Sequence, residues 1–219
     1  MSHFLFWVFP RRCAWCGGVT EADCALCPSC EAMGGERPGV PAPAWLYTDD
    51  PPTVSCYTYR SRARRQFADL KFNGKRGLAP SIGRTMAEAL LASGLAPDPD
   101  RLLVCCVPMT EKQRGTRGYN QSLLLAKAVA GHLGAEFAPG LLLKIRETGK
   151  QHGLPSRLRE ENVAGAFAAA RAEAARGQAV LLCDDVITTG ATLRVCRDAL
   201  AAAGASEVLC LTFLRTVKR

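Results

Sequence analysis

One stretch of fourteen residues, 180–193, constrains the fold more than any other part of the chain. It reads Val-Leu-Leu-Cys, then Asp184-Asp185, then Val-Ile, then Thr188-Thr189-Gly190-Ala191-Thr192-Leu. A hydrophobic strand thus ends in two acids, and a threonine-rich turn opens a helix. Parallel sheets bind ligands at the carboxyl ends of their strands, where this order places the acids. There the loop N–H groups, the hydroxyls of Thr188, Thr189 and Thr192, and the positive end of the helix can cradle a phosphate dianion. Gly190 permits the tight turn and a close backbone approach. Adjacent carboxylates facing a phosphate repel it unless something lies between, and a ribose diol with bound Mg²⁺ meets that need. The expected ligand is a ribose 5-phosphate with further anionic groups. The alternative reading is an acidic strand end followed by an ordinary Thr-capped helix.

The rest of the chain supplies the sheet. Apolar runs at 53–59, 102–107, 141–145, 179–183 and 207–214 alternate with helical stretches at 61–72, 80–91, 120–133 and 191–203. Nearly continuous apolar strands between helices predict an α/β fold with a parallel sheet buried on both faces. The alanine-rich stretch 164–175 reads as a helix. A length of 219 residues suggests one full domain and a smaller appendage, at about 150 residues per domain. With 48% hydrophobic and 22% charged residues, the composition excludes a collagen-like or disordered chain. The apolar start, Phe4 to Phe9, lacks a basic leader and is too short to span a bilayer. It is expected to pack on the core, in a cytoplasmic protein with no membrane insertion.

Five of the 11 cysteines (Cys13, Cys16, Cys24, Cys27 and Cys30) fall within 18 residues that hold little aliphatic material. An odd count and a large core argue against a disulfide scaffold. Cys13-Ala-Trp-Cys16 and Cys27-Pro-Ser-Cys30 form two CxxC knuckles, whose four thiolates complete the closed tetrahedron of a structural Zn²⁺ site. Cys24 also has CxxC spacing to Cys27 and is an alternative ligand. A proline-rich arm, 34–52, follows. The expected division is a zinc-binding module and linker over 1–45 and a second domain over 46–219. Cys56, Cys105, Cys106, Cys183 and Cys210 lie in predicted strands and read as small core residues.

The formal charge is +8, and residues 60–76 carry seven cations against Asp69. Tyr57, Tyr59, Phe67 and Phe72 are interleaved with them. Such a surface can neutralise phosphates while its rings stack on unpaired bases, so single-stranded DNA is a candidate partner. The alternative is a solvated helix face with Phe67 and Phe72 in the core. Arg114, Arg117 and Gly118 predict a basic, turn-forming mouth at the end of the 102–107 strand, suited to pyrophosphate. The polar segment 144–167 reads as a lid bringing Arg146, Lys150, Gln151 and His152 over the ligand.

Segment 180–193 resembles the 5-phosphoribosyl-1-pyrophosphate (PRPP) motif of type I phosphoribosyltransferases. That resemblance implies that Asp184 and Asp185 hold the ribose hydroxyls, while Thr188, Thr189, Gly190, Ala191 and Thr192 hold the 5-phosphate. Taken in order, the chain resembles the ComF/ComFC family of competence-associated phosphoribosyltransferase-like proteins. The matching pieces are the apolar leader into FPRRC, the double CxxC, LKFNGKRGLA (70–79), VPM…RGTRGYNQ, RETGKQHGL, REENVAGAF and LLCDDVITTGATL. The resemblance implies a type I phosphoribosyltransferase-like parallel sheet flanked by helices, with a small N-terminal zinc module held by four cysteines. It also implies a role in natural transformation, handling incoming single-stranded DNA beside a competence helicase or recombination proteins at the inner face of the membrane.

Three functions stay open at this level. A transferase would bind PRPP with Mg²⁺ and expel pyrophosphate through an oxocarbenium-like sugar. Asp184 and Asp185 would hold the donor, with Arg117 or Arg114 on the leaving group. A PRPP sensor that binds DNA or a partner would turn over nothing. A nucleobase salvage enzyme would leave the zinc module unexplained.

Overall fold

The computed structural model describes residues 19–20, 27–28, 45–59, 63–146 and 163–216. The antiparallel hairpin β1 (Leu46–Asp49) and β2 (Pro52–Thr58) leads into α1 (Ala63–Phe72) and α2 (Ala79–Ala92). Then come β3 (Leu102–Cys106), α3 (Glu111–Arg117), α4 (Gln121–Leu133), β4 (Glu136–Phe137) and β5 (Leu142–Lys144). The chain continues with β6 (Phe167–Ala169), α5 (Ala172–Ala175), β7 (Ala179–Ile187), α6 (Ala191–Ala202) and β8 (Glu207–Arg215).

The six-stranded sheet has the order β1-β2-β8-β7-β3-β4, and every pairing except β1 with β2 is parallel. As the apolar runs predict, β3, β7 and β8 are buried on both faces, because helices cover the sheet on either side. On one face Leu181, Cys183, Leu211 and Phe213 pack with Leu70 of α1, Met86 of α2 and Leu125 of α4. On the other, Val180, Leu182 and Cys210 pack with Leu193 and Cys196 of α6 and with Leu142 and Phe167. Helices α2 and α4 approach so closely that a Cβ at Gly83 would lie 2.4 Å from the Ala128 Cβ.

Two expectations need correction. The alanine-rich stretch is not one helix but β6 followed by the four-residue α5. The 141–145 run does not join the parallel sheet: β5 pairs antiparallel with β6 in a separate two-stranded sheet. Alanine favours a helix by itself, but the edge offered by β5 decides the matter for Phe167–Ala169. Arg114 lies in the short helix α3, which follows the carboxyl end of β3. Thr110 and Gln113 form a capping box at its start, and Gly118 closes it at φ 76°.

The five strand cysteines are buried as expected, and Cys196 of α6 joins them. Burial raises Cys106 and Cys210 to about 12 and pushes Cys56, Cys105, Cys183 and Cys196 well up too. These thiols are inert packing groups, not nucleophiles. No described helix is long and apolar enough to cross a membrane.

Candidate functional site

Strand β7 runs four residues further than its apolar core suggests, carrying Asp184 and Asp185 to the carboxyl end of the sheet. Before the acids, Leu181 and Cys183 face one core while Val180 and Leu182 face the other. After them the alternation reverses, with Val186 on the first side and Ile187 on the second. Both acids consequently come within reach of one helix start, that of α4.

Asn120 caps α4 by accepting from the Ser122 and Leu123 amides, and its own amide donates to the Val107 carbonyl at 3.2 Å. This fixes the first turn beside the end of β3. From that turn the Ser122 hydroxyl donates to Asp184 at 2.8 Å and Gln121 Nε2 donates to Asp185 at 2.6 Å. The Asp185 amide also donates to the Asp184 carboxylate at 2.8 Å. Lys71, at the end of α1, places its ammonium 2.8 Å from Asp185 Oδ2 and 4.7 Å from the centre of the Phe67 ring. The Tyr119 hydroxyl donates to the Leu70 carbonyl, and Arg76 stacks on Tyr119 at 4.4 Å. The LKFNGKRG and RGYNQ segments are therefore braced against each other across the acid pair.

The two acids differ in their surroundings. Asp185 is buried, with Lys71 and Gln121 on the same oxygen. Asp184 is pushed up to about 7, first by burial and then by the neighbouring Asp185 charge, against the opposing pull of the Ser122 hydroxyl, the Asp185 amide and Lys71. It is a group able to take up or release a proton near neutrality.

The phosphate-loop candidates follow. Thr188 is exposed, Thr189 is half-buried, and Gly190 and Ala191 are buried. Thr192 is half-buried on the first turn of α6. Gly190 has φ 79° and caps α6 with no side chain, and the Thr189 hydroxyl accepts from the Ala191 amide at 3.4 Å on the first turn of that helix. The close approach that the glycine allows is to the chain itself: a Cβ there would lie 2.9 Å from Pro51 Cδ of the β1–β2 turn.

Arg114 is exposed and ion-paired to Glu111. Arg117 ends α3, and its side chain lies outside the described residues. Arg146 is exposed and donates to the Ala164 carbonyl at 2.6 Å, while Lys150, Gln151 and His152 lie outside the described residues. So do Cys13, Cys16, Cys24 and Cys30, whereas Cys27 packs partly buried against the first core. Tyr57 and Phe67 are core residues and therefore unavailable for stacking, whereas Phe72 is 69% exposed. Of the interleaved rings, the expectation fails for Tyr57 and Phe67, and the solvated-face alternative fails for Phe72.

Sequence reasoning missed Lys71, Gln121 and Ser122 as members of the site. Their signal was present in LKFNGK and YNQS, but only the tertiary contact to β7 separates Lys71 from the other cations of its segment.

Acceptor oxygens dominate this site. Gln121 Oε1 is buried and has no hydrogen-bond partner among the described residues, although its amide nitrogen is engaged by Asp185. A buried orphan acceptor beside two carboxylates suits a ligand rich in hydroxyl donors. With Lys71 already on Asp185, the set suits a diol better than direct Mg²⁺ ligation by both acids. A Mg²⁺ brought by a pyrophosphorylated sugar is compatible with it, since that ion keeps mostly substrate and water oxygens.

A parallel α/β sheet with an acid pair and a threonine-glycine loop at its carboxyl edge defines a phosphoribosyltransferase-like protein. The family description "Phosphoribosyl transferase domain" matches residues 120–218. The "DNA utilization protein YhgH" of Salmonella typhi is 31% identical over 212 residues, covering 94% of this chain and 90% of that protein. "Competence protein F" of Haemophilus influenzae is 32% identical over 103 residues, covering 47% of this chain and 45% of the other. Among solved structures, the allosteric regulatory enzyme of purine biosynthesis aligns with a TM-score of 0.39 and 28% identity. That alignment covers 61% of this chain but spans only 25% of the enzyme. The chain belongs to the ComF/ComFC family of phosphoribosyltransferase-like proteins.

Proposed function

We propose that this chain binds PRPP at the carboxyl end of β7 and serves in the uptake or handling of incoming single-stranded DNA. The observation that carries the PRPP reading is the acid pair with its orphan acceptor Gln121 Oε1, followed at once by the Thr188–Thr192 loop. Asp184, with Gln121, accepts from the ribose hydroxyls, and Asp185 is held in place by Lys71. Loop N–H groups and threonine hydroxyls take the 5-phosphate. Arg114 and Arg117 are assigned to the pyrophosphate side, since α3 follows the neighbouring strand β3. Bound Mg²⁺ would neutralise the pyrophosphate. The DNA role is supported by relatives named for DNA utilization and competence and by the exposed Phe72 among cations. Structural Zn²⁺ on Cys13, Cys16, Cys27 and Cys30 belongs to the same proposal, as does a helicase or recombination partner.

Calorimetry with PRPP and Mg²⁺ tests the site. The double variant Asp184→Asn with Asp185→Asn should lose binding while keeping its zinc content, and undiminished affinity would sink the assignment. Release of labelled pyrophosphate, with single-stranded DNA or nucleobases as acceptors, separates a transferase from a PRPP sensor.

A further inference from the structure

The turn of the β1–β2 hairpin lies against the outer side of the proposed phosphate loop. Arg194, on the first turns of α6, joins the two. Its Nη1 donates to the Asp50 carbonyl at 3.1 Å and to the Asp50 carboxylate at 3.0 Å, while Nη2 donates to the Thr189 carbonyl at 3.3 Å. Arg197, one turn on, donates to the other Asp50 carboxylate oxygen at 2.9 Å. Pro51 fills the space over Gly190.

A carbonyl and the N–H that follows it point in opposite directions across a trans peptide. Holding the Thr189 carbonyl toward Arg194 therefore turns the Gly190 N–H to the side of the loop away from the hairpin. Asp50 in turn fixes the guanidinium that does this. We infer that Arg194 and Asp50 are positioning residues for phosphomonoester binding, presetting the Thr189–Gly190 peptide so that its N–H meets the anion. The inference rests on the PRPP reading for the identity of the ligand, but not for the clamp itself. It also gives the hairpin a task, tying the β1–β2 turn to the loop that receives the phosphate.

Charge alone predicts something different. Were Arg194 simply a cation near the loop, removing the Asp50 carboxylate would strengthen anion binding. Under the clamp, Asp50→Asn weakens ribose 5-phosphate binding on the order of tenfold, as expected for a lost charge-assisted hydrogen bond. Arg194→Gln weakens it at least as much, and Arg194→Lys recovers only part, because one ammonium cannot span both Asp50 and Thr189 in the same planar fork. Calorimetry with ribose 5-phosphate reads these effects, and amide exchange at 188–192 in the ligand-free protein reads the clamp directly. Faster exchange in Asp50→Asn, together with weaker binding, supports the proposal. Tighter or unchanged binding, or unchanged exchange, overturns it. If the unaltered protein binds neither ribose 5-phosphate nor PRPP, the PRPP reading fails while the exchange comparison still decides the clamp.

Discussion

Lys71 Nζ lies 2.8 Å from Asp185 Oδ2, joining the end of α1 to the end of β7 across 114 residues of sequence. Both side chains are shielded, at 18% and 7% exposure, so the pair sits where an unmatched charge is costly. Replacing Lys71 by Met removes one partner and, among the described residues, leaves the Asp185 carboxylate with only the Gln121 amide. Unfolding by urea at neutral pH should show a loss of about 3 kcal/mol, in the range for breaking one side of a buried pair. The double variant Lys71→Met with Asp185→Asn should recover most of it. A single variant as stable as the parent would mean that water, not Lys71, carries the compensation.

The raised Asp184 gives a pH dependence whose sign is opposite to that of an ordinary paired carboxylate. Its folded-state pKa, about 7, exceeds that of a free aspartate because of burial and the Asp185 charge. The protonated acid therefore contributes stability that is complete below about pH 4 and is lost as pH rises toward 7. Asp184→Asn lacks this titration. Thermal melts from pH 4 to 8 should show the variant gaining on the parent across that window, by on the order of 1–4 kcal/mol. Parallel curves would contradict the assignment. A ligand that needs the ionised carboxylate should bind more tightly across the same rise in pH.

Gly190→Ala tests the turn without touching a charge. The position has φ 79°, and an added Cβ would press on Pro51 Cδ at 2.9 Å. Strain of about 1–3 kcal/mol follows from the backbone conformation alone. The melting temperature should fall, and phosphate binding should weaken with it. Gly74→Ala is the control, since it has φ 67° with open space around it. It should carry the backbone strain without the contact.

The parallel sheet was legible because both-faced burial leaves Thr212 as the one polar residue in the inner runs 102–106, 179–183 and 208–214 of β3, β7 and β8. The site's acids and loop were legible because local order alone places them at a strand end. Lys71 and Arg194 were not legible, since each acts through a partner more than 100 residues away. The short run Phe167–Ala169 was misread for a related reason. Its strand state depends on β5, which lies 23 or more residues upstream in the register and is invisible to local periodicity.

Phe67 and Phe72 lie in one helix with opposite exposure. Phe67 is 4% exposed and lies under the Lys71 ammonium, whereas Phe72 is 69% exposed with that ammonium 6.0 Å from its ring centre. Phe67→Ala should cost about 3–5 kcal/mol of stability, as for other buried rings. Phe72→Ala should change stability by no more than about 0.5 kcal/mol. If Phe72 stacks on an unpaired base, its loss should weaken single-stranded DNA binding by about 1–3 kcal/mol and leave the salt slope unchanged, because no phosphate contact is removed. Charge reversal at Lys75, a half-exposed cation of the same segment ion-paired to Asp69 at 2.9 Å, should flatten that slope instead. Fluorescence titration of an oligonucleotide at several salt concentrations reads both, and full affinity in Phe72→Ala would exclude the ring from the DNA surface.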